Sequence, residues 1–246
     1  MLDLIDDSPD IRDLVTEDDT PVDNLPSEKQ QRLLTEPLYS SWKGPGDGRP
    51  FLVAANVGIF SMVRTPPVVP DLFLSLDVEV PDNWWDKAHR SYFIWEFGKP
   101  PELVLEIVSN REGGEDREKK LKYQRMGVAY YVIFDPQLPL MPEPLTLYHL
   151  RDTAYRRETS PRFPALGLGI ALWEGVFEGK RETWLRWTDA EGTVIPTGNE
   201  RANEEHLRAE EARRRAESAE RQLAEERRQK ECLLARLREA GIDPES

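Results

Sequence analysis

The chain has 246 residues, 39% of them hydrophobic, and a formal net charge of −13 at neutral pH. That length supports one substantial core and an appendage, and no stretch approaches the roughly 20 apolar residues a membrane span requires. The single cysteine, Cys232, rules out an intrachain disulfide framework and a thiolate metal cluster; together with an acidic start unlike a targeting segment, it points to a reducing cytoplasm.

Residues 1–24 hold nine acids and one base. With Pro9, Pro21 and no sustained period, residues 1–25 are expected to be disordered. Pro26-Ser27-Glu28-Lys29-Gln30 opens a helix, with Ser27 as N-cap and Gln30 closing a capping box. It should run to about residue 42, with Leu33, Leu34, Leu38 and Tyr39 facing inward. Residues 51–63 read as one strand bent at Gly58, and residues 69–80 as a second. Residues 81–100 carry Trp84, Trp85, Tyr92, Phe93, Trp95 and Phe97 with few branched aliphatics. Packing over the sheet is the favoured reading of these rings; stacking on bases is the functional alternative.

Residues 103–108 are apolar on both faces apart from Glu106, the mark of a central strand covered on both sides. A short helix over 115–126 follows, with Gly127 suited to its C-terminal cap. Residues 129–134 form another buried strand, stopped by Asp135-Pro136. Strand, helix and strand in this order imply a right-handed crossover between parallel strands. Residues 145–150 and 154–159 form a hairpin turning at Arg151-Asp152-Thr153. Strands near 170–177, 183–188 and 192–195 look antiparallel and peripheral. Thr197-Gly-Asn-Glu200 can form a second capping box, opening a helix about 60 Å long that ends at Gly241. Its heptad seam is mostly alanine, so pairing concentrates between residues 223 and 237. Self-association is favoured over a solvated single helix. The organisation expected is therefore an N-terminal segment (1–25), a core domain (26–196) and a charged helix (197–246).

The chemistry centres on Glu106. A carboxylate inside an apolar strand costs several kcal/mol unless a cation, a metal or hydrogen-bond donors compensate it. Asp71 follows Pro70 at the head of an alternating run, and Lys119 arrives from the next helix on the side of Tyr123, four residues on. The three can converge on one divalent cation. Each also has a structural reading: Asp71 shaping a turn, Glu106 in an ion pair with an arginine, Lys119 on a solvated helix face. Other chemistries are disfavoured. His89, His149 and His206 are scattered, with no zinc-ligand spacing. There is no GK[ST] phosphate loop, and no serine stands in a nucleophile elbow.

Taken in order, Pro70-Asp71, Pro101-Glu-Leu-Val-Leu-Glu106-Ile-Val-Ser109, Glu115…Lys119…Tyr123, Gly127-Val128 and Tyr130-Tyr-Val-Ile-Phe-Asp135-Pro136 resemble the Uma-two family. That family belongs to the PD-(D/E)XK nuclease superfamily, and the likeness covers roughly residues 27–187. It implies an α/β (α+β) fold, a restriction-endonuclease-like mixed sheet flanked by helices, with Asp71 and Glu106 binding Mg²⁺ or Mn²⁺. The superfamily pattern places a lysine two residues after the second acid, where this chain has Val108. Lys119 matches the family's displaced lysine, with Lys120 and Lys122 as fallbacks. A first-helix carboxylate, Glu28 or Glu36, would complete such a site. The function expected is metal-dependent endonucleolytic hydrolysis of DNA, with no membrane partner. The rival is a catalytically silent nuclease-fold module that binds or assembles through a homo-oligomer of its C-terminal helix.

Overall fold

A computed structural model describes residues 24–108, 115–137 and 140–239, in two units that divide between Thr197 and Gly198. Helix α1 spans Leu25–Ser40. Asn24 starts it: its backbone is extended and its side-chain oxygen accepts the Ser27 amide at 3.0 Å. Ser27 therefore lies inside the helix and is not its N-cap, because Pro26 fits the first turn and lets the helix begin earlier. Pro37 is accommodated within it.

Strands β1 (Phe51–Ala54), β2 (Ile59–Phe60) and β3 (Leu72–Leu76) follow. The expected strand over 51–63 is thus two strands. Asn56 adopts a left-handed φ of 55° between them and breaks the extended run. β4 (Tyr92–Phe93) pairs in parallel with β2 and leads into the single turn α2 (Ile94–Phe97). β5 (Leu103–Ile107) is followed by a π-helical turn, Glu115–Lys119, and by α3 (Lys120–Met126). Gly127 closes α3 at φ 85°, a conformation glycine adopts without a Cβ clash. Then come β6 (Tyr130–Phe134), β7 (Leu145–Arg151), β8 (Ala154–Glu158), β9 (Arg162–Phe163), β10 (Leu168–Phe177), β11 (Lys180–Asp189) and α4 (Gly198–Glu239).

Six strands form a mixed sheet in the order β1-β3-β5-β6-β7-β8. β5 and β6 are parallel and every other neighbouring pair is antiparallel. Both central strands are buried at every residue, as continuous apolar runs require. The crossover joining them includes residues 109–114, outside the described residues. One face presents Leu72, Leu74, Leu103, Leu105 and Val132; the other presents Phe73, Val104, Tyr131 and Ile133, covered by Tyr92, Tyr123 and Val128. This is the mixed α/β architecture of restriction-endonuclease-like proteins.

The late strands are not peripheral, contrary to expectation. β11, β10 and β9 form a second sheet whose Leu168, Ile170, Leu185 and Trp187 share one core with Leu72 and Leu105. α1 ties them in. The Gln30 side chain both donates to the Leu185 carbonyl and accepts its amide, each at 2.9 Å, and the Trp187 indole donates to the Leu34 carbonyl at 2.7 Å. Residues near 192–195 make a single bridge, Thr188 to Val194, instead of a strand.

In the second unit, α4 runs for 42 residues. Ion pairs one turn apart, such as Arg208–Glu204, Arg213–Glu217 and Arg215–Glu211, line it; each stabilises a helix by about 0.2–0.5 kcal/mol. Leu207, Leu223, Leu233 and Leu237 are exposed along it. Among the described residues no helix is long and apolar enough to cross a membrane. Of the disorder expected over residues 1–25, residues 1–23 lie outside the described residues while Asn24 and Leu25 already cap and open α1, and the helix end expected at Gly241 also lies outside them.

Gln30→Ala should be costly, because it strands a buried amide and a buried carbonyl of Leu185 at roughly 1–3 kcal/mol each. Thermal unfolding should show a fall of several degrees in Tm, whereas Arg32→Ala, at an exposed ion pair, should move it little.

Candidate active site

The site forms where the β3–β5 ladder ends. The register sets Leu72 against Leu105 and Phe73 against Val104, so the next rung brings Asp71 opposite Glu106, on the same face. Pro70 has no N–H and cannot carry the ladder further. The Asp71 side chain takes over: its Oδ2 accepts the Ile107 amide at 2.5 Å. The two acids singled out in the sequence are thereby brought together.

Glu106 is fully buried, at 0% exposure. Its Oε2 accepts from Lys119 Nζ at 2.8 Å and its Oε1 from the Tyr123 hydroxyl at 2.6 Å. Lys119 ends the π-helical turn and Tyr123 lies one α-turn beyond, so both reach the same carboxylate. Both contacts are donors, the surroundings of an ionised carboxylate. Burial nevertheless dominates and pushes the Glu106 pKa up to about 8, with Lys119 pulling it down and Asp71 adding to the rise. Burial, followed by the neighbouring Glu106, raises the Tyr123 phenol well above its ordinary value. Tyr123 therefore keeps its proton and acts toward Glu106 as a donor.

Lys119 is 28% exposed on its side chain, so it joins the buried carboxylate to the surface. The fallback lysines are engaged elsewhere: Lys120 Nζ sits 3.5 Å from the centre of the Tyr148 ring, and Lys122 pairs with Glu118 at 2.6 Å. Val108, where the superfamily pattern has its lysine, is buried in the apolar cluster with Tyr123 and Ile133. A residue two positions after Glu106 points the same way as it does, into that cluster, so the ammonium has to arrive from outside the strand.

Two residues not anticipated from the sequence hold Asp71. Gln31 of α1 donates to its Oδ1 at 3.3 Å, and Asn56 donates its amide to the Asp71 carbonyl at 3.3 Å while exchanging side-chain hydrogen bonds with Gln31 at 3.1 and 3.2 Å. The first helix thus offers the site an amide. Glu28 is exposed and pairs with Arg32 at 2.9 Å, and Glu36 is exposed. Among the described residues no three His, Cys, Asp or Glu side chains gather as a metal site. Two carboxylates are nevertheless the protein contribution that suits Mg²⁺, which keeps several waters and completes its shell with phosphate oxygens. A carboxylate offers about four lone-pair positions, so the bonds from Lys119 and Tyr123 leave Glu106 able to face a cation. The donor set fits Mg²⁺ or Mn²⁺ and suits neither zinc nor a calcium cage.

The raised Glu106 pKa has a measurable consequence in the metal-free protein. A carboxyl that holds its proton to about pH 8 when folded and to about 4.5 when unfolded contributes stability below that lower value and loses it as pH rises through the upper one. Measured against Glu106→Gln, which does not titrate, parent stability should fall between about pH 5 and 8, by at most about 1.4 kcal/mol per pH unit. Urea titrations at several pH values check this, and parallel curves for the two proteins would refute it.

The comparisons bear on this geometry. No curated protein matches the chain. The model of the Uma2 family, described as "Putative restriction endonuclease", matches residues 18–169, more than half of the chain and the whole of the arrangement around Asp71, Glu106 and Lys119. The chain belongs to the Uma2 family.

Proposed function

We propose that the domain is a metal-dependent endonuclease that hydrolyses DNA phosphodiester bonds, with Asp71 and Glu106 holding Mg²⁺ or Mn²⁺ and Lys119 serving catalysis. One observation carries this reading. A carboxylate with no exposure stands in the central strand beside a second acid, with an ammonium from the next helix against it. When bound there, a divalent cation would lower the pKa of water and offset charge on the scissile phosphate.

The side chains divide the remaining work. Lys119 presents positive charge where the attacking water and the phosphate meet, orienting the one and stabilising the charge that develops on the other. Tyr123 fixes the Glu106 carboxylate by a short hydrogen bond. Gln31 and the Ile107 amide fix Asp71 from two sides, so neither acid has to reorganise when substrate arrives. In a chain of net charge −13, a cation held by the acids would also lessen the repulsion a phosphate meets there.

A second reading, a silent nuclease-fold module assembling through α4, is favoured by one feature. Lys119 and Tyr123 already satisfy both oxygens of Glu106, as they would in a purely structural ion pair. Calorimetry with Mn²⁺ separates the two readings, since the silent module has no need to bind the ion.

Cleavage of supercoiled plasmid in Mg²⁺ should be abolished by Glu106→Ala. Lys119→Ala should slow it by about 10²–10³-fold, the range for losing one donor at a developing charge. Thermal unfolding in parallel confirms that each variant is folded. Cutting by folded Glu106→Ala at the parent rate would overturn the assignment.

A further inference from the structure

Beside the acids, on the same sheet face, lies a second concavity that the hydrolytic chemistry does not use. Its volume is about 390 Å³. Phe73 of β3 forms its floor with Tyr92 and Phe97, which stack at 4.5 Å and 6° while Tyr92 meets Phe73 edge-on at 5.0 Å. Tyr92 is locked from behind, its hydroxyl bonded to Ser75 at 2.9 Å and donating to the Lys99 carbonyl at 3.0 Å. The floor is rigid.

The rim differs from the floor. Trp84 and Trp85, residues 57% and 72% exposed, line the concavity with ring centroids 5.5 Å apart and planes at 55°. Leaving two indoles in water forfeits the burial that normally stabilises such side chains. Hydrogen bonds nevertheless tie the segment that carries them. Arg90 Nε donates to the Trp85 carbonyl at 2.7 Å, Asn83 Nδ2 donates to Asp86 at 2.6 Å, and the His89 amide donates to the Asp86 carbonyl at 2.8 Å. The structure therefore leaves both indoles facing solvent on a hydrogen-bonded segment.

Charge identifies the occupant. The titratable groups lining the concavity are His89, Arg90 and Tyr92, with no carboxylate among them, in a chain of net charge −13. Apolar and aromatic surface with the Arg90 guanidinium among its lining groups suits a flat aromatic ring attached to an anion. Its place relative to the acids completes the case. Phe73 pairs with Val104, and Val104 precedes Glu106 by two residues on the same face, about 7 Å along the strand.

We propose that the Trp84–Trp85 concavity is a nucleobase subsite. It would stack an unpaired base of the strand whose phosphate lies at Asp71 and Glu106. The choice of ligand rests on the nuclease reading above, and the subsite would bias the domain toward single-stranded or locally opened nucleic acid.

The test measures binding without cleavage. The full chain in EDTA, at one fixed salt concentration, is titrated into fluorescein-labelled single-stranded oligothymidylate and into an abasic oligonucleotide of the same length. The parent should bind the base-bearing strand at least about fivefold more tightly, as stacking on one aromatic side chain implies. Trp85→Ala, and more so Trp84→Ala/Trp85→Ala, should bind the two strands alike, at the affinity of the parent for the abasic one. Both rings are exposed, so these variants keep the fold, and the abasic arm needs no substitution. Equal affinity of the parent for both strands overturns the subsite, as does a base preference that survives the double substitution. Because metal and turnover are absent, this result is separable from the Glu106→Ala cleavage assay: the subsite can fail while hydrolysis stands, and hydrolysis can fail while base binding stands.

Discussion

The structure depends on how one buried negative charge is accommodated. Glu106 sits in the middle of the central strand with no access to water, where an ionised carboxylate without partners would cost several kcal/mol, a large part of the stability of an ordinary domain. The fold answers with an ammonium and a phenol from the following helix. That answer constrains much else. The helix after β5 has to return across the sheet face at a height that brings Lys119 and Tyr123 to one carboxylate. β6 has to lie parallel to β5 so that the connection can cover that face.

The compensation is incomplete, which is what gives the site chemical potential. A fully neutralised ion pair would leave the Glu106 pKa low, but here burial and the proximity of Asp71 outweigh the attraction of Lys119. On the reading proposed above, a divalent ion would complement that imbalance, of which Lys119 meets only part. The supports around the acids serve the same end. Gln31 and the Ile107 amide hold the Asp71 carboxylate, and the Asn56 amide its main-chain carbonyl, by groups that carry no net charge.

The two layers of the domain divide the labour. The face packed against α1 and the β10–β11 hairpin is a conventional apolar core, with Leu72, Leu105, Leu185 and Trp187 in contact across it. The opposite face is where polar groups accumulate: Glu106, Lys119 and Tyr123 toward one end of β5, and the tryptophan-rimmed concavity beside Phe73. α1 links the layers, with Gln30 engaged on β11 and its neighbour Gln31 on Asp71. Adjacent glutamines on one helix thus serve a structural contact and a site contact.

Much of this is legible in the amino-acid order alone. The continuous apolar run around Glu106, its odd carboxylate, the Pro70-Asp71 pair and Lys119 four residues before Tyr123 suffice to name the candidate acids and the lysine, because strand and helix periods act over a few residues. Gly127 as a cap and the hairpin at Asp152 follow from the same local rules. What the order of residues does not encode locally was decided by packing. Gln31 and Asn56 look like any surface amides until α1 and the turn after β1 meet over Asp71. Glu28 and Glu36 look equally suited to join the site until the helix turns them outward. The hairpin of β10 and β11 reads as peripheral because its partners lie far off in the chain, those on α1 as much as 155 residues away. Trp84 and Trp85 read as core because aromatic composition does not reveal whether a ring finds neighbours. Local chemistry specified which charge needed a partner; only the long-range convergence of strands and helices decided which groups would supply it.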